Sequence, residues 1–203
     1  MERYFKKESI PSSYHNFSDK SSLLGIPNTK NVLSNIAIAL PAVYLLYKKK
    51  YNRLTLVLVL LAIASSYYHI NPNKSTIVPD MIFVITLNTF VLSYFVDSNI
   101  GNLVILLGVL SVLYWHKTSD TRLYSLLQLG IFLYCIYRVY PTKASNLILP
   151  LIIVGILTRV SESYDKLIYD KTNKILSGHS LKHIFAGFKI MIIIKILEKL
   201  HKI

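Results

Sequence analysis

The chain has 203 residues, of which 53% are hydrophobic and only 16% charged, with a formal net charge of +13. Its mean hydropathy is +0.45. A soluble domain carries roughly a quarter charged residues, spread over its surface. Here the charges gather between apolar runs about as long as a bilayer core requires, roughly 17 to 25 residues. That excludes a water-soluble core and predicts an all-α integral membrane bundle, multi-pass, in one domain over residues 1–203.

Met1 to Lys30 is polar, with Pro11 and Pro27, and reads as a surface lead-in. No signal peptide is apparent, so the first hydrophobic helix is expected to serve for targeting. Apolar spans are predicted at about Asn31–Tyr47 (with Pro41 inside), Leu54–Ile70, Ile77–Val96, Ile100–Trp115, Leu123–Tyr140, Ser145–Val160 and His179–Leu197. Breaks fall at Asn71-Pro72-Asn73, Asp97-Ser98-Asn99, Lys117–Thr121, Pro141 and the charged stretch Ser161–Lys174. This makes about seven spans with short loops. Spans four and six are short, so a count of six stays open. There is no internal repeat.

The cations cluster at span ends, for example Lys48, Lys49, Lys50 and Arg53, or Lys195, Lys199 and Lys202. There they meet lipid headgroups rather than nucleic acid. Both sides carry many, so the positive-inside rule does not orient the chain. Tyrosines near span ends, such as Tyr47, Tyr67, Tyr137 and Tyr140, fit an interfacial belt. Cys135 is the one cysteine, so no disulfide forms within the chain. It reads as a small lipid-facing or core residue. No sequence feature speaks to oligomeric state.

Ionisable groups inside membrane segments are costly and need a reason. Ser65 and His69 are four apart and share one helix face. So do His179 and His183. Asp80 opens the third span, just after the turn that follows His69. With seven spans, all of these fall at one side of the membrane and can converge. Three neutral histidines with a position left open are the donor set of a catalytic zinc. A metal there would lower the pKa of a bound water to about 7. Asp80 could take a proton or orient a histidine, and Ser65 could donate a hydrogen bond to a developing oxyanion. Each residue also has a plainer reading. His69 suits an interfacial helix end, Asp80 after Pro79 an N-cap, and Ser65 beside Ser66 helix packing. His15, His116 and His201 are expected at the surface, and Lys182 is expected to snorkel outward from a different face.

Several blocks together resemble the alkaline ceramidase family, seven-span zinc amide hydrolases related to the adiponectin-receptor-like proteins. They are Tyr14-His15-Asn16-Phe17-Ser18-Asp19, Gly25-Ile26-Pro27-Asn28 with Asn31-Val32-Leu33-Ser34-Asn35, and Ser65-Ser66-Tyr67-Tyr68-His69-Ile70-Asn71-Pro72 with Asp80 beyond. Then come Tyr114-Trp115 with Asp120, Arg122 and Tyr124, and Arg159, Glu162 and Asp165 leading to Ser177-Gly178-His179-Ser180-Leu181-Lys182-His183. They stand in family order and look most like its compact bacterial and plant branch. The resemblance implies His69, His179 and His183 as zinc ligands, Ser65 and Asp80 as active-site residues, and hydrolysis of the amide of ceramide or a related lipid to a sphingoid base and a fatty acid. The chain departs from the family pattern at Ala64, where glycine is usual, and in the apolar setting Val78-Pro79-Asp80-Met81. Only Asp19 is acidic where animal ceramidases hold calcium, so calcium is not expected. Beside the hydrolase stands a receptor-like reading with a structural zinc. A transporter with a histidine proton relay is a third, and it would expect an internal repeat.

Overall fold

A computed structural model describes residues 12–50 and 53–203, the side chains from Tyr14 onward. Met1 to Pro11 of the expected lead-in, and Tyr51-Asn52 in the first basic loop, lie outside the described residues. A short 3-10 turn at Ser12–His15 precedes a two-stranded hairpin, β1 (Ser22–Leu23) and β2 (Ile26–Pro27). Its two-residue turn, Leu24-Gly25, has positive φ at both positions, as the twist of so tight a hairpin requires.

The rest is helical: α1 (Thr29–Ser34), α2 (Ile36–Tyr47), α3 (Arg53–Ile70), α4 (Ile77–Ser93), α5 (Ser98–Thr118), α6 (Arg122–Val139), α7 (Ile148–Ser163), α8 (Asp165–Lys171) and α9 (Gly178–Lys199). Four helices are long and apolar enough to cross a membrane: Thr29–Tyr47 (α1 and α2 together), α3, α5, and Ser145–Ser163. Large apolar side chains such as Leu103, Leu110, Leu126, Leu133, Ile153 and Ile156 point outward from α5, α6 and α7. α4 is apolar but shorter. α6 and α9 are long, yet α9 carries Lys182, Lys189, Lys195 and Lys199 along its length.

Within the first span the helix hitches at Asn35, whose side-chain amide donates to the Asn31 carbonyl (3.2 Å). The charged stretch after α7 is not a plain loop, because α8 forms inside it.

α2 packs on α3 and α9, α3 on α4, α4 on α5 and α6, and α9 on α7. α6 and α7, neighbours in sequence, hardly touch. The space between them, backed by α4 and α9, is cavity. Two local features bring α9 to the centre. Pro41 has no N–H, which leaves the Ala37 carbonyl without its helical donor. Gly187 of α9 packs against that carbonyl so closely that a Cβ there would lie 2.2 Å from the oxygen. Small residues at such crossings let membrane helices approach.

Candidate metal centre

α9 starts where the chain is tied down from several directions. Ser177 is its N-cap, accepting from the Ser180 backbone N–H (2.9 Å). The Ser177 and Ser180 hydroxyls both donate to Asn31 Oδ1, at 2.8 and 2.7 Å. Asp19, fully buried, in turn accepts from the backbone N–H groups of Lys30 and Asn31 at the start of α1 (2.9 and 3.0 Å). Asp165 accepts from the His179 backbone N–H (2.7 Å) and from that of Ser18 (3.0 Å). One carboxylate thus joins α8, α9 and the N-terminal segment. Gly178 makes this junction possible. A Cβ there would lie 2.1 Å from the Ser161 carbonyl oxygen and 2.5 Å from Asp165 Cα.

The result is a cluster of three buried histidines, His69 from α3 with His179 and His183 from α9. Their ring centroids form a near-equilateral triangle, 4.8, 4.8 and 5.0 Å apart. One nitrogen from each lies within 4.8 Å of the others, close enough to hold a metal ion. His69 Nε2 and His183 Nε2 face each other at 3.2 Å. Two nitrogens each about 2.05 Å from one tetrahedral ion would be about 3.3 Å apart. The donor set and spacing therefore fit a tetrahedral metal.

The protonation of His183 follows from its partners. Its Nδ1 is 2.7 Å from Ser34 Oγ, while the single Ser34 proton is donated to the Asn31 carbonyl (2.8 Å). Ser34 is therefore the acceptor and Nδ1 carries the hydrogen. Nε2 is left with a free lone pair, as a ligand requires. His69 has no such partner at Nδ1. Its ring is held by packing, with Phe17 edge-on at 4.7 Å and also against His179 at 4.6 Å. The Asn28 side-chain amide holds the His69 carbonyl (2.9 Å).

Of the three histidines, His183 lines the large cavity of about 400 Å³, and Ser65 and Asp80 line it too. Ser65, buried on the same face of α3 as His69, lines the cavity beside Asp80. Asp80 sits within the first turn of α4, whose N-cap is Thr76; the N-cap reading of Asp80 fails. The structure brings all five anticipated residues to one place.

Several neighbours were not anticipated. Lys182 does not snorkel outward: its face of α9 meets α7, and it lines the cavity in an ion pair with Glu162. Tyr14 donates to the same Glu162 carboxylate (2.8 Å). Burial pushes the Tyr14 hydroxyl up to about 12, so it stays a donor at neutral pH. His15 is not a free surface residue either. It is half-buried with Nδ1 2.8 Å from the Tyr68 hydroxyl, and burial lowers its pKa, keeping it neutral. His116 packs on Trp115, half-buried rather than exposed. His201 is at the surface as expected. Phe17, Asn31 and Ser34 were visible only as members of the family-like blocks, and nothing in their residue types alone marks them.

No protein-family model, curated protein or solved structure matches this chain. The likeness to alkaline ceramidases therefore rests on the sequence blocks alone.

Proposed function

We propose that the chain is a seven-span membrane protein whose histidine triad holds zinc and hydrolyses the amide of ceramide or a related lipid. The observation that carries this reading is the cluster of His69, His179 and His183, of which His183 lines one cavity together with Ser65 and Asp80. A count of seven takes α4, α6 and α9 as spans beside the four more apolar ones. Their polar residues then line the interior rather than face lipid.

Zinc held by three imidazoles supplies Lewis acidity and a nucleophile at neutral pH. The chain's own groups do the rest. Asp80, on the cavity wall with Ser65 and His183, is placed to accept a proton from the attacking water and return it to the leaving nitrogen. The Lys182–Glu162–Tyr14 network borders the polar end of the cavity and suits the hydroxyl groups of a sphingoid headgroup. Apolar walls including Ile38, Leu61 and Ile190 receive acyl chains and exclude water.

The test is fatty-acid release from ceramide by detergent-purified, zinc-loaded protein. The reading expects release that is abolished by His183→Ala and by chelation.

A second reading, a receptor-like protein with a structural zinc, draws on one observation. Phe17 covers His69 and His179, and neither lines the cavity. It expects chelation to lower thermal stability while ceramide stays intact. Release of fatty acid would exclude it.

A further inference from the structure

The cavity holds a second polar feature far from the histidines. Lys189 is eleven residues from the first residue of α9 and ten from the last, so its Cα stands about 15 Å from either end of the helix. A lysine side chain reaches roughly 6 Å, which is too short to snorkel to an interface from there. Its level on the helix is about 9 Å from that of His183, at 1.5 Å per residue.

Lys189 does not face lipid. It lines both the large cavity and a smaller one of about 80 Å³ that continues it between α4, α6, α7 and α9. Asn88 and Gln128 line both spaces at the same place. They hydrogen-bond each other across α4 and α6 (3.2 Å). The ammonium lies over the Phe132 ring at 5.6 Å. Among the described residues it has no carboxylate partner. Arg159, itself a cation, lines the large cavity with it. Lys182, by contrast, is neutralised by Glu162.

A cation at mid-depth in a membrane bundle is costly and marks a functional site by default. Here the protein supplies the cation, two amides and an aromatic ring, and the carboxylates that line the same large cavity, Asp80 and Glu162, form no ion pair with Lys189. We propose that the Lys189–Gln128–Asn88 belt is a subsite for the anionic group, carboxylate or phosphate, of a single-chain amphiphile lying in the cavity. The chain of that amphiphile runs along the apolar walls toward α7, past Ile148, Leu151 and Ile196. The subsite rests on the cavity and on α9 being a membrane span, as proposed above, and stands whether or not the histidine cluster hydrolyses an amide.

The experiment is calorimetric titration of the detergent-purified full chain with three probes of equal chain length: laurate, dodecyl phosphate and neutral dodecanamide. At least one anion should bind about tenfold or more tightly than the amide, the worth of one charged hydrogen bond. The tighter of the two says whether a carboxylate or a phosphate is preferred. Lys189→Met should bring that anion down to the level of the amide, and Lys189→Arg should restore most of the difference. Unchanged metal content and melting temperature in Lys189→Met would show that the histidine cluster and the fold are intact, so a loss of anion binding belongs to the subsite. Should Lys189→Met fail to fold, Gln128→Leu serves instead, with a several-fold weaker anion. Equal binding of all three probes, or anion binding undiminished in these variants, overturns the proposal.

Discussion

Replacing Gly178 by alanine probes how the fold reaches the metal centre. The added methyl would lie 2.1 Å from the Ser161 carbonyl oxygen and 2.5 Å from Asp165 Cα, where ordinary contact begins at 3.4 Å. Both obstacles are backbone, so no side chain can swing away. The start of α9 must part from α7 and α8 by more than an ångström. Overpacking of this kind costs about 1–3 kcal/mol. The same movement stretches the bond from the His179 N–H to Asp165 (2.7 Å), and a hydrogen bond to a charged group is worth about 1.5–3 kcal/mol. Together the loss is about 3–5 kcal/mol. The displaced residue is His179 itself, so metal retention should fall with stability. Thermal melting in detergent and metal content after dialysis read the two effects on one sample. A Gly178→Ala protein that melts with the wild type and keeps its metal would refute the close junction on which the site geometry depends.

Ser34→Ala removes one acceptor of the His183 Nδ1 hydrogen. Metal affinity should drop about tenfold, the mild end of such losses, as read by competition with a chromophoric chelator. Phe17→Ala opens the cover over His69 and His179. It should destabilise the protein by about 3 kcal/mol and speed metal loss to chelator, while Leu24→Ala on the exposed hairpin tip should do neither.

The parts of this molecule that follow a period were legible in the sequence. Apolar runs of bilayer length marked the helices to within a few residues. A spacing of four placed Ser65 with His69 and His179 with His183. The turn at Asn71–Asn73 put Asp80 beside them. What escaped depends on contacts between distant segments. Lys182 lies one residue from His183 on a face that a helical wheel alone assigns to lipid. Only the packing of α7 against α9 shows that Glu162 waits there. His15 and Phe17 belong to a polar segment with no helical period, and they reach the site because Asp165 holds the Ser18 backbone. Gly178 and Gly187 looked like neutral small residues until their carbonyl neighbours were placed. Lys189 was readable in principle, since a cation at the centre of an apolar helix is a signal in its own right. Its neighbours Asn88 and Gln128 come from helices that the sequence alone does not pair.

The central claim is that His69, His179 and His183 form one metal site. Elemental analysis of detergent-purified protein, made without a polyhistidine tag, tests it beside a His179→Ala, His183→Ala double variant. The account predicts about one zinc per chain, lost in the double variant. Folded protein that takes up no zinc on reloading, or a double variant that keeps the metal, would contradict it.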